Sequence, residues 1–221
     1  MSSTGLRTRR SAQQRSAEIL AAARALALED GLSAVTLRAV AQRAGVAPGL
    51  VAHYQPSMEA LVAGVFTDIV EAEIEDVTAV IADIGPAEQR ASALFSTLLD
   101  GSRHDVTLVW VEAWALGRRN SSLERAIEHQ MEAWHGVVVA LIEDGRSSSV
   151  FHTADPSLVA WQLLGMIDGL AAHALVRRAD LGTFRDQLTR AAEVLLGAAS
   201  GSLASASLAS GSLASGGVAP R

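Results

Sequence analysis

Thr36-Leu37-Arg38-Ala39-Val40-Ala41-Gln42-Arg43-Ala44-Gly45-Val46-Ala47-Pro48-Gly49-Leu50-Val51-Ala52-His53-Tyr54 decides the reading of this chain. Thr36 can cap a short helix that runs to about Ala44, where Gly45 stops it. Pro48 suits the first turn of a second short helix, where its missing N–H costs nothing. Gly45-Val46-Ala47 is then a tight turn between two short helices, the arrangement of a helix-turn-helix. Val40, Ala41, Ala44, Val46 and Val51 supply a small apolar wedge for the pair. In such a pair the second helix can lie in the major groove of DNA while the first crosses the backbone.

The pattern outward from this segment is helical almost throughout. Ser11 to Asp30 carries Ile19, Leu20, Ala23, Leu26 and Ala27 at helical spacing, and Gly31 follows as a stop. Pro56-Ser57 breaks the chain, and Ser57 caps a long helix to about Ile84. Further helices are expected from Gly85-Pro86 to about Asp100, from His104 to Arg118, from Ser121 to Asp144, from Asp155-Pro156 to about Arg178, and from Thr183 to Gly197. Ser121 or Ser122 is the expected cap of the fourth of these stretches counted from Ser57, and Gly145 to Thr153 reads as a loop. The fold expected is all-α, with about nine helices. Residues 1–56 form an N-terminal arm and a three-helix helix-turn-helix domain. Residues 57–199 form a helical sensing and dimerisation domain. Residues 200–221 repeat Ser-Leu-Ala-Ser at a five-residue period that presents no constant helix face, and read as a low-complexity disordered tail.

Composition narrows the function. The chain has 221 residues and no Cys, which removes disulfide frameworks, thiolate metal sites and a Cys nucleophile. Its start is polar and Arg-bearing and does not read as a secretory signal. The apolar stretch from Leu158 to Val176 is interrupted by Gln162, Asp168 and His173, so it reads as a buried helix of a cytoplasmic protein and not as a membrane span. Net charge is −6, yet residues 1–56 hold seven Arg against three acids. A basic N-terminal end on an acidic body points to a polyanionic partner for that end alone.

Thr36 to Val46, followed by His53-Tyr54, Pro56-Ser57 and Glu59-Ala60-Leu61, resembles the DNA-binding signature of the TetR family of transcription regulators. The likeness covers roughly residues 17–65 and is an ordered pattern of about fifteen positions. It implies a homodimer on a palindromic double-stranded operator, released by a small-molecule effector, with repression as the usual mode. It also implies roles for single positions. Thr36 would cap the second helix and touch a phosphate. Arg38 would reach a phosphate or a base edge. Gly49 would allow close approach, with Pro48 and Leu50 beside it on the recognition helix. His53 and Tyr54 would hold backbone phosphates. This sequence departs from the family pattern at Ala47, Ala52, Gln55 and Met58. The loss of a cation at position 58 throws non-specific affinity onto Arg38, Arg43 and the arm residues Arg7, Arg9 and Arg10.

The body is similar, more weakly, to the BetI-type sensor domain through Trp110-x-Glu112-x-Trp114 and Ile167-Asp168-Gly169-Leu170. Trp110 and Trp114 share a helix face. With Phe66 and Trp134 they could line a pocket in which Glu112 or Asp168 holds a cation against aromatic faces. A polyamine, an antibiotic or a fatty acyl group are other occupants for such a pocket. Leu158 to Val176 is apolar nearly all round and contains Gly165-x-x-x-Gly169, which lets a neighbouring helix approach closely. Trp161, Gly165, Gly169 and Ala172 on that helix, with Leu188 and Leu195 on the last, are the expected dimer contacts.

An enzyme reading rests on Glu132-Ala-Trp-His135, a single E-x-x-H, whereas a di-iron bundle needs two with further carboxylates. No Gly-x-Ser-x-Gly elbow is present. Neither a catalytic residue, nor a metal, nor a cofactor is expected. A DNA-binding adaptor without a ligand is the third class.

Overall fold

In a computed structural model, residues 12–99, 101–177 and 181–204 are described; all the elements among them are helical. Helix α1 is Ala12–Asp30, α2 Leu37–Arg43, α3 Pro48–Tyr54, α4 Met58–Ala82, α5 Ala87–Leu98, α6 His104–Gly117, α7 Ser121–Ser147, α8 Pro156–Arg177 and α9 Leu181–Leu196. The chain divides into two compact units. Among the described residues, the first holds those up to Ile69 together with Glu112–Ile127, and the second holds those of Val70–Val111 and those from Glu128 onward. Helices α4, α6 and α7 therefore each continue from one unit into the other.

In the first unit, α1 buries Ile19, Ala22, Ala23, Leu26 and Ala27, the stripe that helical spacing demands. Gly31 ends it at φ +87°, a left-handed conformation that suits glycine. A short 3-10 turn, Leu32–Ala34, follows; the sequence pattern had not shown it, because three residues carry no periodicity. The Thr36 hydroxyl accepts a hydrogen bond from the Ala39 amide at 3.3 Å and so caps α2. Gly45 takes φ +65° after α2, and the Val46 amide returns to the Ala41 carbonyl at 3.0 Å, a glycine-terminated helix end. Val40, Ala41 and Val51 are buried to within 1 % and pin α2 on α3, as the apolar wedge required. Ser57 caps α4 through the Ala60 amide at 3.1 Å. The pair Arg24–Asp68, at 2.7 Å, ties α1 to α4.

In the second unit, α5 packs on α8 and α9, and α8 packs on α9. Asp155 caps α8 through the Leu158 amide at 2.9 Å. Three details differ from the sequence reading. First, the cap of α7 is Asn120, whose Oδ1 accepts from the Ser122 and Leu123 amides at 3.1 and 3.0 Å; an amide one residue upstream displaces the expected serines. Secondly, α7 does not stop before Gly145 but runs to Ser147. Gly145 is a packing glycine: a Cβ there would lie 1.9 Å from the ring of Phe151, which folds back on the helix and is 2 % exposed. Thirdly, order continues past residue 200. Glu193, 7 % exposed, accepts from the Gly201 and Leu203 amides at 3.0 and 3.1 Å, and Leu203 is fully buried. The expected tail thus begins no earlier than residue 205; residues 205–221, like the arm residues Arg7, Arg9 and Arg10, lie outside those described.

The Ala47 departure has a local cost. Ala47 is the N-cap of α3 and makes no side-chain bond to its first turn. Restoring a hydroxyl, Ala47→Ser, is expected to raise stability by about 1 kcal/mol, read as a higher urea midpoint with an unchanged slope. Gly145→Ala is expected to cost about 1–3 kcal/mol through overpacking against Phe151, measured by the same melt.

Candidate nucleic-acid interface and effector site

The helix pair α2–α3 presents a polar outer face. Thr36, Arg38, Pro48, Gly49 and His53 are exposed, while Leu50 and Tyr54 are half-buried. The His53 and Tyr54 rings meet edge to face, with centroids 5.2 Å apart at 80°, so each steadies the other at the end of α3. Such a phenol and imidazole can donate to phosphate oxygens. Gln42 stands one helical turn beyond Arg38 and is also exposed; its i+4 spacing was legible in the sequence but was not used there.

Arg43 differs from its expected role. Its guanidinium grips the Glu29 carboxylate with both terminal nitrogens, Nη1 at 2.5 Å. The hydrogen bond from Arg43 holds the Glu29 carboxyl below its ordinary range and raises the arginine in turn. Arg43 is therefore a brace between α1 and α2, and the exposed cation left on the outer face of α2 is Arg38.

The second unit contains a buried acid that the sequence analysis passed over. Glu73 on α4 is 7 % exposed, in line with the buried Val70, Val77 and Ile81 of the same helix. An acid on an apolar stripe at helical spacing is the signal that could have found it. Trp110 of α6 donates its indole N–H to Glu73 Oε2 at 3.4 Å, and the Trp134 indole of α7 also favours the charged form of this carboxyl. Burial pushes the Glu73 carboxyl up to about 7; the two indoles and the Arg103 charge pull it down, and the Asp168 charge adds to the rise. Asp168 of α8 is raised to about 6, by burial. On α7, one turn before Trp134, Gln130 is 1 % exposed; its Nε2 reaches Glu71 Oε1 at 3.5 Å and its carbonyl oxygen has no hydrogen-bond partner among the described residues. Four helices thus converge on one centre with two acids, two indoles and an arginine.

Three of the expected pocket residues, Trp110, Trp134 and Asp168, belong to this centre. The other three, Phe66, Glu112 and Trp114, fall in the first unit. Phe66 is fully buried in that unit's core. Trp114 is half-buried there. The Glu112 carboxylate is engaged by the amide and hydroxyl of Ser33, at 2.8 and 3.0 Å. The pattern Trp110-x-Glu112-x-Trp114 had looked like one cluster, yet α6 passes from one unit to the other between Val111 and Glu112.

Helix α8 buries Val159, Ala160, Leu163, Leu164, Ile167 and Ala174. Its other face leaves Gly165 and Gly169 exposed, with Leu158 at 54 % and Val176 at 84 %. A Cβ on either glycine would meet nothing within 4 Å. The helix is apolar and long enough to cross a membrane by composition, but this face is also what a partner helix needs. On α9, Leu188 is fully buried and so belongs to the core of its own chain, while Val194 is 81 % exposed. Leu195 and Ala172 are half-buried. Trp161 is stacked on His135 within the chain, centroids 4.5 Å apart. His135 also has Nε2 3.1 Å from the Ser157 carbonyl.

Residues 19–65 match the model of the bacterial regulatory proteins of the tetR family, and residues 87–197 match the C-terminal domain of BetI-type transcriptional repressors. A comparison with curated proteins finds no match. Among solved structures, a TetR transcription regulator from Haloarcula marismortui is similar at TM-score 0.72 and 21 % identity, over 83 % of this chain and 99 % of that one. A transcriptional regulator from Saccharomonospora viridis in complex with choline is similar at TM-score 0.69 and 21 % identity, over 80 % and 94 %. The fatty acid degradation regulator FadR from Bacillus halodurans is similar at TM-score 0.66 and 18 % identity, over 83 % and 95 %. These likenesses establish the fold, and the two domain matches together span most of the described chain. The chain belongs to the TetR family: it is a helix-turn-helix transcription regulator, not an enzyme, with a C-terminal domain of the BetI type.

Proposed function

We propose that this regulator is a cytoplasmic homodimeric repressor that leaves a palindromic operator when a small organic cation enters the centre around Glu73. The observation that carries the reading is a carboxylate, 7 % exposed, that receives the Trp110 indole N–H and feels Trp134 and Asp168 nearby. A buried carboxylate without a full counter-charge is costly, and it neutralises by taking up a proton. A cation removes that cost, and aromatic walls add cation–π attraction. A regulator of similar fold that is bound to choline supports the same ligand class. Thr36, Arg38, Pro48, Gly49, Leu50, His53 and Tyr54 form the face offered to DNA. The exposed face of α8, Gly165 and Gly169 with Leu158 and Val176, and Val194 of α9 form the face offered to a second copy. Two recognition helices related by a twofold axis must meet grooves about 34–36 Å apart. An effector that binds better to a different spacing lowers operator affinity, typically by ~1–3 kcal/mol of coupling.

The sign of the pH dependence follows from the raised acids. A cation prefers the carboxylate, so its binding must expel a proton wherever Glu73 is protonated beforehand. Choline or tetramethylammonium affinity, measured by titration calorimetry, is expected to rise about tenfold per pH unit below about 7 and to level off above it. Affinity that falls with pH, or no binding of any quaternary amine, defeats the cation reading.

Without effector, both acids have folded-state values above their ordinary ones, so they stabilise the fold at low pH and that contribution is lost as pH rises through about 6 and about 7. The thermal midpoint of the free protein should therefore be lower at pH 8 than at pH 5.5, and Glu73→Gln should remove most of the difference. On the DNA side, Arg38→Ala is expected to weaken operator binding by ~1–3 kcal/mol in a gel-shift titration, with the melt unchanged. Equal affinity for Arg38→Ala, Tyr54→Phe and the parent protein would show that α2–α3 is not the reading head.

A further inference from the structure

The last described residues turn back on the helix they leave. Gly197 follows α9 at φ +64°, and Gly201 turns the chain again at φ +81°. The fully buried Leu203 then docks, and the Glu193 carboxylate accepts from the Gly201 and Leu203 amides. Such bonds to a charged acceptor are strong ones. A Cβ at position 201 would be strained in that left-handed conformation. The docked unit therefore has a rule: glycine where φ is positive, leucine two places on, and a carboxylate of α9 to accept both amides.

A groove of about 460 Å³ adjoins this unit, lined by Ser92 and Ser96 of α5, by Asp186 and Glu193 of α9, and by Leu203 and Ala204. Asp186 precedes Glu193 by seven residues, so it shares the helix face and lies about 10 Å back along the axis. The chain, reversed after Gly197, heads that way. Beside the groove the Ser202 hydroxyl is shut off from solvent and has no hydrogen-bond partner among the described residues, which is rare for a buried polar atom. The residues that come next lie outside those described, but their sequence is informative. Gly211-Ser212-Leu213-Ala214-Ser215 repeats Gly201-Ser202-Leu203-Ala204-Ser205 residue for residue. The copy between them, Ala206-Ser207-Leu208-Ala209-Ser210, has alanine where the rule asks for glycine.

We propose that the groove between α5 and α9 is a binding site for a Gly-Ser-Leu-Ala segment, and that its occupant is Gly211–Ala214 of the same chain. Asp186 accepts from the Gly211 and Leu213 amides as Glu193 does from those of the first copy. Ten residues separate the copies and can span about 33 Å when extended, so a step of about 10 Å leaves slack. A five-residue period presents no constant helix face, but separate anchors along a strap need none. The intervening copy, without its glycine, is spacer.

The chain has no Cys, so introduced pairs report cleanly. Full-length protein carrying Arg185→Cys and Ser212→Cys is treated with a short bismaleimide, and bridging is followed by mass spectrometry. Arg185 also lines the groove, next to Asp186. The reference pair is Arg185→Cys with Ser207→Cys, in the copy that lacks the glycine. Bridging within one chain is expected to be severalfold faster at position 212 than at 207, although 207 is nearer along the chain. Gly211→Ala should slow bridging at 212 by about tenfold, the penalty for a Cβ in a left-handed conformation. Asp186→Ala should slow it as well, and Leu208→Ala should not. Equal rates at 207 and 212, or a rate at 212 indifferent to both Gly211→Ala and Asp186→Ala, overturn the proposal. A bridge that joins two chains also overturns it, and assigns the groove to a second copy.

Discussion

Placing a carboxylate in the interior of a helical bundle is the constraint on which this structure turns. Taken out of water, an unpaired charge costs several kcal/mol even after the surroundings relax. Glu73 meets that cost in part, through two indoles and the field of Arg103, and the remainder appears as a carboxyl raised to about 7. A core built only for stability would place an apolar side chain there, as α4 does at Val70, Val77 and Ile81. The acid makes the interior of the second unit depend on its own state of protonation.

The same helices that surround Glu73 supply parts of the first unit. α4 leaves the centre toward Ile69 and Phe66; α6 leaves it toward Glu112; α7 begins with residues of the first unit. A helix transmits displacement along its length because its backbone bonds are all internal. On α6, Trp110 donates to Glu73 and Glu112 accepts from Ser33. Arg43 shows the complementary economy at the reading head. A cation of the basic end is spent on Glu29, which stiffens α1 against α2 and leaves Arg38 to face outward.

Much of the architecture was legible before any coordinates. The helix-turn-helix followed from Thr36, Gly45 and Pro48, each of which has a local reason to sit where it does, and the cap, turn and first-turn proline are all found in place. The helix register followed from the spacing of apolar residues. The misplaced boundaries have local causes as well. Asn120 outcompetes Ser121 as a cap, and Gly145 reads as a breaker until Phe151 is seen packed on it. The buried Leu203 shows that composition alone sets a poor boundary for a tail, since one leucine and one acceptor, Glu193, are enough to dock a turn.

The sequence by itself determined the elements and the family, because helix caps, turns and apolar periodicity act over a few residues. It did not determine the centre around Glu73. Trp110, Glu112, Trp114, Phe66 and Asp168 looked alike as aromatic and acidic residues of one body, and tertiary structure divided them between two units. Glu73 became visible as the central acid only when α4, α6, α7 and α8 were brought together around it. Burial and partnership are properties of space, and residues far apart in sequence acquire them only when the chain closes on itself.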